Sequence, residues 1–203
     1  MINFMKILLT LFVLFFSSLV FADDISDFQI EGISIGDSLL DYMSEDEIKI
    51  EIEESKKLYP NRSKNFSEIY WFNETDNYNY LSFIIKNDES KSNKKYIIYA
   101  IYGKKHMVLK ECLELKKNIA EEFEIMFPNT ERRNSEFSPD FSTDLDPFKK
   151  SKIYYSYFEF DTKDEIAVEC YDYSKYLEDK GRKDGLNISL ASKNANLWLR
   201  EKN

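Results

Sequence analysis

His106 is the one imidazole in this chain of 203 residues. Serine, cysteine and aspartate chemistries generally recruit a histidine base, so any such machinery would have to be built around it. It follows Gly103-Lys104-Lys105, at a point read as the junction between a strand and a helix. A solvated or helix-capping imidazole is expected there, and no catalytic residue is assigned. Zinc centres draw several His or Cys ligands from short spacings, and one His with two distant Cys does not provide them.

Carboxylates are the other candidates. Asp140, Asp144 and Asp146 share one segment and could meet a hard cation of the weak extracellular kind. The spacing is not that of an EF-hand, because Leu145 stands at position six and Ser151 at position twelve. A solvated loop is therefore the expectation, and no metal ligand is assigned. Paired acids for glycoside hydrolysis meet only in three dimensions, and 37 acidic residues single out no pair. Five scattered glycines make no phosphate cradle, and no cofactor motif is found. The net charge of −9 argues against nucleic acid as a partner, since phosphate binding rests on Lys and Arg.

The two cysteines point to a structural role. Cys112, Leu115, Ile119, Phe123 and Met126 recur at spacings of three and four, which puts Cys112 on the apolar stripe of a helix. Ile166, Val168 and Cys170 alternate onto one face of a strand. Both sulfurs then point into one core, and a Cys112–Cys170 disulfide is expected in an exported chain.

Tyr154, Tyr155, Tyr157, Tyr171 and Tyr173 crowd one expected hairpin. Exposed, they would suit a protein or glycan partner, having an apolar ring and a polar tip. Packing in and around the sheet is the expected fate of most of them.

Export is read from the N-terminus. Residues 1–22 have the form of a signal peptide: Lys6, then an apolar run of 14 residues from Ile7 to Val20. That run falls short of the ~20 residues that span a bilayer. Val20 and Ala22 stand at −3 and −1 of a cut between Ala22 and Asp23. Losing Lys6 takes the formal charge from −9 to −10. The expected product is extracytoplasmic, periplasmic or secreted, with no transmembrane segment after signal removal.

The rest must position these residues. Ser44-Glu45-Asp46-Glu47 has the form of a capping box and starts a helix that runs to Tyr59, where Pro60 stops it. Strands are expected at Phe66–Phe72, Tyr78–Lys86 and Lys95–Tyr102, a long helix at Met107–Phe127, then strands at Lys152–Phe160, Glu165–Tyr173 and Leu186–Leu190. A helix at Ser192–Lys202 closes the chain. Thr130–Phe148 has no periodicity, and a mobile loop is expected. Both major helices end on an aromatic-Pro-Asn triplet, Tyr59-Pro60-Asn61 and Phe127-Pro128-Asn129, which suggests an α-β-β-β unit used twice.

The run Ile33-Ser34-Ile35-Gly36-Asp37-Ser38-Leu39-Leu40, with a helix and three strands behind it, resembles the opening of the SmpA/OmlA (BamE-like) envelope modules. The resemblance covers residues 32–102. It lacks the lipidated Cys of those lipoproteins and their Gly-x-Pro after the first helix. It implies an α+β envelope module that binds macromolecules, and it carries over no functional residue.

The expectation is one α+β domain over 23–203, with possible halves 23–102 and 103–203. It has an antiparallel sheet of five to six strands and helices packed on one face. The expected role is a non-enzymatic exported binding or envelope-associated module. The alternative is a secreted hydrolase using carboxylate acid/base chemistry.

Overall fold

The computed structural model describes residues 25–62, 64–72, 75–87, 95–137, 146–148 and 150–201. The leader with its Ala22/Asp23 cut, and Asp140 and Asp144, lie outside the described residues.

Helix α1 (Glu45–Leu58) starts on the expected capping box: Ser44 Oγ accepts the Glu47 amide, and the Glu47 carboxylate accepts the Ser44 amide at 2.9 Å. Three acidic residues in its first turn and two lysines in its last complement the dipole. Helix α2 (Leu109–Met126) buries Cys112, Ile119, Ala120 and Phe123 along the expected stripe.

A short ribbon of β1 (Gln29–Ile30) and β2 (Ile33–Ser34) precedes the main sheet. Strands β3 (Phe66–Trp71), β4 (Tyr80–Lys86), β5 (Ile98–His106), β6 (Glu131–Phe137), β7 (Lys152–Glu159), β8 (Glu165–Asp172) and β9 (Gly185–Ala191) form one seven-stranded antiparallel sheet in the order β3-β4-β5-β9-β8-β7-β6. One meander runs inward from the β3 edge and another from the β6 edge. They meet at β5 and β9, where Tyr102 pairs with Ser189.

The sheet thus exceeds the expected five to six strands, and the extra one is β6, inside the stretch read as a loop. Glu131–Phe137 has no apolar alternation because it is an edge strand that exposes almost every side chain described. Pairing with β7 alone holds it, Arg132 opposite Phe158 and Asn134 opposite Ser156. Its charges also discourage pairing with another chain. The other edge is protected differently. The Glu68 amide donates to Ser55 Oγ at 2.8 Å and the Tyr70 amide to Glu51 Oε2 at 3.2 Å, so α1 satisfies donors of β3.

The main core lies between the sheet and the two long helices. Leu81, Phe83 and Ile85 of β4, Ile166, Val168 and Cys170 of β8, and Leu186, Ile188 and Leu190 of β9 face Ile48 and Ile52 of α1 and the stripe of α2. Phe28 closes one end, its ring centroid 4.6 Å from that of Phe127. Cys112 and Cys170 are bridged with a Cα–Cα distance of 5.8 Å, tying α2 to β8 as expected.

A second correction concerns the helices. Helix α3 (Lys175–Glu178) is a single unexpected turn, and α4 (Lys193–Leu199) packs on the opposite face of the sheet. That face is apolar at one end, where Ile84, Ala100 and Ala191 are covered by Ala195 and Trp198 of α4. Helices therefore do not all lie on one face. Among the described residues, no helix is long and apolar enough to cross a membrane.

Candidate functional site

Helix α4 covers only one end of the second face. At the other end the sheet alternation brings Tyr102 and Lys104 of β5 beside Gly185, Asn187 and Ser189 of β9. The β9 side chains are small, and larger ones rise on either flank. A Cβ at Gly185 would run into the Lys105 carbonyl, so only glycine lets the two strands approach here. The result is a groove of about 630 Å³ with a low centre and aromatic walls.

One wall carries Tyr70, Phe72 and Tyr80. The Tyr70 and Phe72 rings are stacked at 5.9 Å, and Phe72 lies 5.6 Å from Tyr80. Phe72 is 71% exposed, a large apolar ring held at the rim in water. The other wall carries Tyr171 and Tyr173, stacked at 5.6 Å. The lining residues include no carboxylate.

Charge is the second feature. Lys104 is half-buried, with Nζ 4.5 Å from the centre of the Tyr171 ring, a cation–π contact. Burial pushes its pKa down, Glu169 and Glu68 oppose that, and the positive Arg182 adds to it. Arg182 and Lys183 are exposed on the Gly181–Gly185 turn above. Among the described residues, Lys104, Arg182 and Lys183 form no ion pair, whereas Lys49, Lys56, Lys57, Lys152, Lys163 and Lys175 all do. Three cations without an ion pair thus line one groove of an acidic chain.

Two carboxylates stand beside the groove without lining it, each bonded to neutral partners. Glu169 accepts the Tyr157 hydroxyl at 3.0 Å, the Tyr171 hydroxyl at 3.1 Å and the Asn187 amide at 2.7 Å. Glu68 accepts the Tyr59 hydroxyl at 2.6 Å. Of these phenols Tyr171 lines the groove, and its bond to Glu169 fixes that wall. Burial, reinforced by the nearby Glu169 charge, drives the Tyr171 pKa far upward, and burial takes that of Tyr173 to about 12 against the opposing pull of Arg182.

The residues singled out in the sequence are dispersed. Tyr171 and Tyr173 line the groove. Tyr155 and Tyr157 form a ring pair at 4.6 Å on β7, with the Tyr157 hydroxyl reaching Glu169, while Tyr154 packs against the main core. His106 ends β5 just ahead of α2, at the expected junction, but the N-cap of α2 is Val108; His106 stands exposed on the rim, its backbone amide donating to Asn79 Oδ1 at 2.7 Å. Asp146 is 2% exposed and accepts the Ser151 amide at 2.9 Å and the Ser151 hydroxyl at 2.6 Å, a loop anchor. Those hydrogen bonds hold its carboxyl below the usual range. No group of three potential metal ligands occurs among the described residues.

Sequence reasoning missed Tyr70, Phe72, Tyr80, Lys104, Arg182 and Lys183. The available signal was the alternation Tyr102, Lys104, His106 on one strand face, together with two cations between Gly181 and Gly185. It also missed Lys116, whose Nζ donates to Ser156 Oγ at 3.0 Å. That hydroxyl is fully buried and bonded to Asn134, so the pair is a packing contact that no substrate reaches.

Comparisons with protein-family models, curated proteins and solved structures find no match. Fold and site together define an α+β protein built on a two-faced antiparallel sheet. One face is closed by helices, and the other is partly open, ringed and basic.

Proposed function

We propose that this is an exported, non-enzymatic binding module that engages its partner through the open half of the second sheet face. The observation that carries this reading is the groove itself. It combines an exposed aromatic rim, fixed tyrosines and an exposed arginine, side-chain types that dominate binding energy at interfaces, with two lysines beside them. A carboxylate hydrolase needs convergent acids in its cleft, and this cleft is lined by rings and cations instead.

The envelope association rests on the resemblance of residues 32–102, and its support is the order of elements: a helical turn at Leu39–Asp41, then α1, then β3, β4 and β5. The duplicated unit is likewise a proposal. Its support is that Tyr59 and Phe127 end the two long helices in the same conformation, φ −125° and ψ 60° against φ −122° and ψ 64°. Each is followed by Pro-Asn and a meander that runs inward from a sheet edge.

The test is photocrosslinking in the native host. A benzoylphenylalanine at Phe72 should give a discrete cross-linked species, while one at Ile125, 77% exposed on α2, should not. Equal cross-linking from both sites, or none from Phe72, overturns the reading. N-terminal sequencing of exported material starting at Asp23 tests the export step.

A further inference from the structure

We propose that the groove takes an acidic segment of a protein partner, with a side-chain carboxylate seated between Lys104 and Arg182 and an apolar residue against the Phe72 wall. This rests on the binding reading above and names the chemistry of its partner.

The charge argument is local. Lys104 and Arg182 line the same groove, and the positive Arg182 works against the Lys104 charge and acts on Tyr80 and Tyr173 as well. Glu169 and Glu68 offset part of the Lys104 charge without forming an ion pair with it, and Arg182 and Lys183 are exposed on the same groove, so an anion placed over it gains from all three cations. The protein's overall negative charge does not prevent this, because screening confines electrostatics to about 8–10 Å at physiological salt. Neither Glu68 nor Glu169 lines the groove, and Glu169, 8% exposed, is already occupied by three hydrogen-bond donors.

Three occupants compete, and the lining decides among them. A glycan presents hydroxyl donors that are commonly met by carboxylates, and the groove offers cations and phenol hydroxyls but no carboxylate. A small molecule binds tightly where most of its surface is enclosed, and this groove is open along the sheet face. A peptide segment bearing carboxylates offers acceptors for Lys104, Arg182 and Lys183. Its apolar side chain covers Phe72, whose exposure is otherwise unfavourable.

The test uses the full exported chain, isotope-labelled, titrated with the peptide acetyl-Glu-Phe-Glu-Phe-Glu-amide and followed by amide resonances. Saturable shifts are expected at Lys104, His106 and Gly185. The peptide with Gln in place of Glu should bind about tenfold more weakly, as should the acidic peptide to the double variant Arg182→Gln/Lys183→Gln. Both substituted residues are exposed, so an unchanged urea midpoint will show that the variant folds. Raising salt from about 50 to about 500 mM should weaken the acidic peptide and leave the Gln peptide little changed.

Equal binding of both peptides, shifts scattered over the surface, or no shifts at all would overturn the acidic occupant. So would tighter binding of a hyaluronan oligosaccharide at the same amides. If the acidic peptide fails while Phe72 still cross-links in the host, the binding reading stands and this assignment alone falls. If Phe72 does not cross-link but the peptide binds as expected, the groove chemistry stands and the host reading falls.

Discussion

The Tyr171 hydroxyl donates to Glu169 Oε2 at 3.1 Å, so a carboxylate that is only 8% exposed fixes a wall of the groove. Tyr157 and Asn187 donate to the same carboxylate. Replacing it by leucine, close in volume, would leave three donors without their acceptor. Each unpaired buried donor costs about 1–3 kcal/mol, though rings near the surface recover part of that from water. Glu169→Leu should therefore lower stability by about 2 kcal/mol or more, read as a shift in urea midpoint. Glu169→Gln, which keeps one acceptor oxygen, should lose less. An unchanged midpoint for the leucine variant would mean that the carboxylate does not organise the wall.

Removing the Cys112–Cys170 bridge tests a different layer. The closed loop spans 58 residues, for which the chain-entropy model gives about 4 kcal/mol. The double Ala variant should unfold at clearly lower guanidinium than the oxidised protein, and reductant should move the oxidised protein toward it. Coincident unfolding curves with and without the bridge would refute a stabilising role.

What was legible in the sequence follows from burial. Cys112 and Cys170 were readable because each sits on a periodic apolar face, and a pattern that fills a core leaves a period of 3.6 or 2 behind. Strand β6 was not, because Glu131–Phe137 packs almost none of its described side chains and is ordered only by β7. The groove was illegible for a related reason. Tyr70, Lys104, Tyr171 and Arg182 come from three strands and a turn, and their meeting depends on the order β3-β4-β5-β9-β8. Nothing local to Lys104 says that Tyr171 lies beneath it. Helix α4 crossed to the second face because Ile84, Ala100 and Ala191 needed cover, a requirement visible only once three strands are side by side.

Ser55 is 3% exposed on α1 and accepts the Glu68 amide, so it joins the helix to the β3 edge. Ser55→Ala removes the acceptor and leaves an edge donor facing a methyl group. A loss of about 1–2 kcal/mol is expected, against almost none for Ser135→Ala, exposed on β6. Hydrogen exchange at the Glu68 amide should also accelerate in the Ser55 variant. Unchanged exchange there would show that the hydroxyl does not hold the edge.

Alkaline pH provides the last test, because the buried phenols all shift in one direction. Burial is the first cause in each case. It holds Tyr59, Tyr70, Tyr78, Tyr102, Tyr157 and Tyr171 protonated above the ordinary phenol range and puts Tyr173 at about 12. In the unfolded chain these groups ionise near pH 10. Above that pH the folded state binds more protons than the unfolded one, so stability falls as pH rises toward the native values. Below about pH 10 their contribution is fully present. Lys104 acts oppositely: its lowered pKa makes the native state release a proton early, which raises stability with pH over the window between that pKa and the ordinary lysine value. Burial lowers Lys116 in the same sense, so two lysines stand against these seven phenols and the net slope is downward. Urea midpoints should hold steady around neutrality and drop above about pH 10. The ultraviolet absorbance of phenolate should show a late step that coincides with loss of circular dichroism. Ionisation of all 14 tyrosines while the dichroism stays native would show that these rings are not buried in the folded protein.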